Sequence, residues 1–191
     1  MTSLRARRHA ETRQAIFDAA FALFERHGFS DTAMEQIAEH AGVSRSTLYR
    51  RYANKEDIVL EVPRQWLAAW DETVAAQDPD ASLAETMAAG CLAVANVIDS
   101  SQTLVLSAYR ALAESPNLQA SGATNQDWLD RIVDLITDHT SELDHEAAAI
   151  IAGAYMGAID TMMQQWAMAG GKSSVVDATG RVIARLAPIL P

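Results

Sequence analysis

Arg45, Ser46 and Thr47 stand in succession, followed by Tyr49, Arg50, Arg51 and Lys55, so that one short stretch carries cations, hydroxyls and a phenol. On a helix this set does recognition rather than bond-making. A guanidinium can pair both acceptors of a guanine edge, and a threonine methyl can meet a thymine methyl. Arg45, Ser46 and Thr47 are therefore expected nearest base edges. Tyr49, Arg50, Arg51 and Lys55 are expected on phosphates, which fix register but read no sequence. Catalytic groupings are scarce elsewhere. His139 and His145 flank Asp144, but such spacing across a helix junction is not a metal-ligand pattern, and Asp144 is explained as an N-cap. The chain carries no phosphate-binding glycine loop, nucleophile elbow or paired-acid constellation. Neither catalysis nor a metal or cofactor is expected.

The elements that must position the basic stretch are legible around it. A first helix over about 10–27 places Ile16, Ala20, Leu23 and Phe24 on one face, backed by Phe17 and Phe21, and stops at Gly28. Thr32 is expected to cap a second helix, with Glu35 completing a capping box, and is counted with the DNA-facing residues. Ile37, Ala38 and Ala41 give that helix an inner face, Gly42 makes the turn, and Val43 and Leu48 fill the space between the pair. Ser44 caps the third helix, about 45–51, and Asn54 caps a fourth. A pair of this shape presents the start of its second helix to the major groove.

The pairs Ala19-Ala20, Leu23-Phe24, Gly28-Phe29 and Ile37-Ala38, the runs Ala41-Gly42-Val43-Ser44 and Thr47-Leu48-Tyr49-Arg50, and Tyr52 followed by Asn54-Lys55-Glu56 closely resemble the tetracycline-repressor (TetR) family. The resemblance implies a transcriptional regulator of about nine helices: a repressor that binds double-stranded operator DNA and is released by a small, mostly apolar effector. It also implies a homodimer built largely on the last two helices and a ligand cavity in the C-terminal body. An activator of the same fold, or a helical module without operator binding, would carry many of the same residues. Ala33 departs from the pattern, since the family often has a phosphate-touching Ser or Thr there, and Met34 then Glu35 follow it. The arginine-rich start, Arg5 to Arg8, is either a minor-groove arm or a frayed terminus.

The whole chain of 191 residues has a net charge of −10, which by itself opposes a nucleic-acid partner. The distribution reverses that: residues 1–60 carry a net +1 and the remainder −11. Strand signals are nearly absent, so the fold is read as all-α, with a DNA-binding domain over 1–54 and a ligand-binding and dimerisation domain over 55–191. No membrane span or signal peptide is read, and one cysteine, Cys91, cannot form an internal disulfide. A cytoplasmic protein is expected. Pro63 should kink the fourth helix, about 55–77, by removing the bond to Val59. Trp66, Trp70, Met87, Cys91, Val94, Tyr109, Trp128 and Ile132 are the candidate ligand lining, with ordinary core as the alternative, and Arg110 is expected at the surface, the alternative being a buried partner for an anionic ligand. Ala149, Gly153 and Gly157, with the stripe Val175, Thr179, Val182 and Leu186, are the candidate dimer interface.

Overall fold

The computed structural model describes residues 4–115 and 123–190, which form ten α-helices, a closing 3-10 turn and no strand. They divide into two compact units, Met1–Val62 with Ser107–Ser121, and Pro63–Leu106 with Gly122–Pro191. No single helix among the described residues is long and apolar enough to cross a membrane.

In the first unit, α1 (Leu4–His27) begins well before residue 10, so the backbone from Arg5 to Arg8 is helical. It ends where Gly28 takes φ +86° and donates its N–H to the Phe24 carbonyl at 2.9 Å. Ile16, Phe17, Ala20 and Phe24 are buried. The rings of Phe17, Phe21, Phe24 and Phe29 form a chain with centroid separations of 4.7, 5.5 and 5.1 Å. Helices α2 (Met34–His40) and α3 (Arg45–Tyr49) are joined through Gly42, at φ +66°. Two bonds close that turn, Val43 N–H to Ala38 O at 3.0 Å and Gly42 N–H to Glu39 O at 3.1 Å, the pairing that satisfies the last carbonyls of a helix. Ile37, Leu48 and Ile58 have no exposed surface, and each such aliphatic side chain contributes roughly 1.5–3 kcal/mol by leaving water.

The helix expected over about 55–77 is divided into α4 (Lys55–Val59) and α5 (Glu61–Ala75), with the break at Leu60. Pro63 explains the position. It has no N–H to offer the Val59 carbonyl, so α4 stops there, and as third residue of α5 it sits in a first turn, where a missing donor costs nothing. Asn54 caps α4 as expected, accepting from Asp57 N–H at 2.9 Å. The later part of α7 (Gln102–Glu114) also belongs to this unit. The Glu114 carboxylate accepts the Ser30 N–H at 3.0 Å, and the Ser115 hydroxyl donates to Glu56 at 3.2 Å. The Ser115-Pro116 pair reads in the sequence as a helix break, and Pro116 lies outside the described residues.

The second unit holds most of α5 together with α6 (Leu83–Asp99), α8 (Ala123–His139), α9 (His145–Met168) and α10 (Val175–Leu186). Helix α9 packs on α8 and α10, and α6 packs on α8 and α10. Asp144 caps α9, accepting from Ala147 N–H at 2.8 Å. Asp99 ends α6 and receives the start of α10: it accepts from Val175 N–H at 2.7 Å, Val176 N–H at 3.2 Å, Ser174 Oγ at 2.9 Å and Gln102 Nε2 at 2.9 Å. Burial acts to raise its carboxyl, but these four donors outweigh it and hold Asp99 below the usual carboxylate range.

The core of this unit gathers Trp70, Leu83, Met87, Ile132, Ile136 and Tyr155. Trp70 meets Trp128 edge to face at 5.7 Å and lies directly on the backbone of Gly90, where an added Cβ would come within 2.7 Å of the indole. Gly90→Ala should therefore destabilise the protein despite the roughly 1 kcal/mol that alanine gains in a helix, because overpacking costs about 1–3 kcal/mol. Urea unfolding followed by tryptophan emission reads both effects. A raised midpoint, the helix-propensity gain alone, would show that the ring is free to move away.

Candidate nucleic-acid interface

Ser44 sets the geometry of α3. Its Oγ accepts the Thr47 N–H at 3.2 Å and lies 2.8 Å from the Thr47 hydroxyl and 3.0 Å from that of Ser46, so three hydroxyls form one cluster at the start of the helix. Arg45, Ser46, Tyr49 and Arg50 are exposed, Thr47 is half-buried, and Leu48 faces the core. The helix is shorter than expected and ends at Tyr49, with Arg50 as its C-cap. Tyr49 donates its hydroxyl to Glu35 at 3.3 Å. Partial desolvation and the Glu35 carboxylate hold its phenol above the ordinary range, while Arg45 one turn earlier opposes them. Arg51 is half-buried, and its Nη2 lies 3.1 Å from His9 Nδ1 on α1.

Two expectations are corrected. Thr32 does not cap α2: Ala33 does, with its N–H donated to the Gln36 side chain at 2.8 Å. The Thr32 hydroxyl instead donates to the Gly28 carbonyl at 2.8 Å, and the residue is 2% exposed, so it has no surface for DNA. Lys55 does not point its charge outward. Its Nζ donates to the carbonyls of Phe29 at 2.5 Å, Ser30 at 3.0 Å and Thr32 at 3.0 Å, and stands 4.4 Å from the centroid of the Phe29 ring. An ammonium has three N–H donors, and all are committed to the loop after α1.

The candidate ligand residues separate. Trp70, Met87 and Ile132 are core residues of the second unit, with Cys91, Val94 and Trp128 packed against them. Trp66 is half-buried on α5, and Tyr109 falls in the first unit. Arg110 is exposed, as expected. Burial pushes the Cys91 thiol up to about 12. Sequence reasoning passed over Tyr155, which lies in this core one helical face away from the glycines that drew notice on α9. The spacing Ala148, Ala152, Tyr155 was the available signal.

The candidate dimer residues also separate. Gly153 and Gly157 are exposed, and a Cβ at either would meet nothing in the chain. Ala149 is half-buried against the core, and Val182 and Leu186 are half-buried, Leu186 also against that core. Val175 and Thr179 are 1% and 3% exposed. Their stripe is occupied within the chain, where α10 packs on α6, and these two residues are not available to a second copy.

Comparison with known proteins bears on the same segment. The family model for bacterial regulatory proteins of the tetR family matches residues 16–62, which run from the buried face of α1 to the start of α5. The transcriptional regulator MftR of Mycobacterium tuberculosis is 34% identical over 119 residues, 62% of this chain and 60% of that protein, so the chain spans about three fifths of its length. The HTH-type transcriptional regulator TtgW of Pseudomonas putida is 33% identical over 110 residues, 55% of this chain and 78% of that protein. The transcriptional regulator FadR of Bacillus subtilis, solved in complex with stearoyl-CoA, has the same fold, with a TM-score of 0.71 at 22% identity over 91% of this chain and 96% of that one. With its helix-turn-helix matched in sequence and its all-helical architecture matched through the second unit, this chain belongs to the TetR family of bacterial regulatory proteins.

Proposed function

We propose that the chain is a cytoplasmic, ligand-responsive transcriptional regulator and not an enzyme: a repressor that binds double-stranded operator DNA as a homodimer and leaves it when a small, mostly apolar molecule binds. DNA contact is assigned to residues 1–54, and ligand binding and dimerisation to 55–191. The observation that carries the reading is the exposed face of α3, where Arg45, Ser46, Tyr49 and Arg50 stand clear of the protein while Leu48 anchors the helix beneath them. Arg45 and Ser46, with Thr47 beside them, would read bases. Tyr49, Arg50 and Arg51 would hold phosphates, and Thr32 and Lys55 are left out because both are engaged within the protein. The effector would enter the core lined by Trp70, Met87, Ile132, Cys91, Val94 and Trp128, a mostly apolar wall of the kind that binds small molecules. The dimer would form on the outward face of α9.

The test is competition binding between the DNA upstream of the protein's own gene and unrelated DNA. Arg45→Ala should cost about 1–3 kcal/mol on the specific site and relax sequence choice. Arg50→Ala should weaken both DNAs alike and flatten the dependence on log salt by about one unit. Equal loss of discrimination from the two changes would show that the roles are misassigned, and a wild type that prefers neither DNA would end the regulator reading.

A further inference from the structure

Tyr155 is the largest fully buried side chain among the described residues, yet its hydroxyl has no hydrogen-bond partner. The Thr86 hydroxyl on α6, 1% exposed, also has none. Buried tyrosine and threonine hydroxyls nearly always find a partner, so an exception calls for one that the chain itself does not supply. Tyr155 sits in the core with Trp70, Met87 and Ile132, with Cys91 and Trp128 packed against that cluster. Cys91 is close enough to affect the phenol: burial first, and the thiol second, push Tyr155 up to about 12. Both groups are therefore neutral near pH 7, and the Tyr155 O–H is available as a donor.

The surroundings also select by charge. No charged side chain is buried among the described residues. Helix α6 contains no basic residue, and the base of α9, His145, is its exposed first residue. Arg131 of α8 is bound in a fork to Asp71, at 2.7 and 3.0 Å. Arg64 of α5, His139 at the end of α8, and Arg181 and Arg185 of α10 are exposed. A carboxylate or phosphate carried into this core would lose its hydration with no cation to meet it. An uncharged group that accepts a hydrogen bond would gain a partner and provide one.

We propose that the core around Tyr155 binds an uncharged molecule, or the uncharged portion of a larger one, and that a hydrogen-bonding group on it is held by the Tyr155 hydroxyl against walls of Trp70, Trp128 and Met87. This rests on the reading of the same core as the effector site and names the chemical class that it admits. The flat edge-to-face indoles and the methionine favour an aromatic skeleton.

Three probes of one skeleton test it: para-propylphenol, neutral and hydrogen-bonding; propylbenzene, without a polar group; and para-propylbenzoate, an anion at pH 7. Each is titrated into the full chain by tryptophan fluorescence, with operator binding followed in parallel. The phenol is expected to bind at least about tenfold tighter than the benzoate. Tyr155→Phe, which keeps the ring, should weaken the phenol about fivefold, one ordinary hydrogen bond, and leave propylbenzene unchanged. Unchanged propylbenzene affinity also shows that the variant core is intact. Equal affinity for phenol and benzoate, no loss of phenol affinity in Tyr155→Phe, or no binding by any of the three would overturn the proposal. The regulator reading fails separately. Tyr155-dependent phenol binding that leaves operator affinity unmoved supports this site and ends the reading of this core as the effector site, whereas operator release by benzoate, unaffected by Tyr155→Phe, keeps ligand-responsive regulation and ends this site.

Discussion

Gly157→Leu is expected to convert the protein to monomers and to abolish operator binding while leaving the fold of each chain at least as stable. The outward face of α9 carries Ile150, 68% exposed, then Gly153 and Gly157, and ends at Met168, 88% exposed. Glycine inside a helix costs about 1 kcal/mol relative to alanine, and nothing in the chain requires it at either position, since a Cβ there would meet open space. The return for that cost must come from outside the chain. In the proposed dimer a close crossing with the same helix of a second copy would supply it, and a two-fold axis would place each substitution in the interface twice. Overpacking of about 1–3 kcal/mol per site, doubled by symmetry, weakens dimerisation by several factors of ten. One half-site alone gives too little affinity, so operator binding goes with it. Sedimentation velocity reads the association and thermal unfolding reads the fold. An intact dimer at micromolar concentration would count decisively against this placement.

The second large effect concerns Lys55. Lys55→Ala leaves the carbonyls of Phe29, Ser30 and Thr32 without their shared donor and removes a cation from the face of Phe29. Hydrogen bonds to a charged group contribute more than neutral ones, and with the ammonium half-buried the three together should stabilise by about 2–3 kcal/mol. For a chain of this size that corresponds to a fall in Tm of roughly 5–10 °C. Lys55→Arg should recover little, because a planar fork does not fit three converging carbonyls. The distinguishing measurement is the salt dependence of operator binding below the melting temperature. A residue with its charge turned inward leaves the slope unchanged, whereas a phosphate contact would take about one unit from it. An unmoved Tm with a flatter slope would restore Lys55 to the DNA face.

Local features of this chain were legible in its sequence, and the partners of long side chains were not. Gly28, Gly42, Ser44, Asn54 and Asp144 were assigned correctly because a cap or a left-handed turn depends on a few neighbours along the chain. Pro63 likewise marked the irregularity, although the kink expected within one helix is a break at Leu60 that divides it in two. Thr32 was misread because its hydroxyl had two local uses, and the Gly28 carbonyl behind it took precedence over the amides ahead. Lys55 was misread because its three acceptors lie 23 to 26 positions earlier, beyond any periodicity. Val175 and Thr179 show the remaining limit: a repeating apolar stripe establishes that a face is covered without saying by what. Here α6 of the same chain covers it. Tyr155 went unnoticed because an aromatic residue at helical spacing reads as core, and its significance lies in a hydroxyl whose lack of a partner only three-dimensional packing reveals.

The bonds that tie the end of α7 into the first unit have a consequence for the order in which the protein is made. The contiguous segment that reads as a helix-turn-helix is complete when Val62 has been synthesised, but the bond from Ser30 to Glu114 spans 84 residues and that from Ser115 to Glu56 spans 59. At the usual pace of translation, about 5–20 residues per second, several seconds separate the emergence of Val62 from that of Ser115. During that interval the nascent head lacks two of its closing contacts, and bringing the late segment back must first overcome the entropy of closing a long loop. The unit that carries Arg45 thus gains its last two long-range ties only after Ser115 has been synthesised.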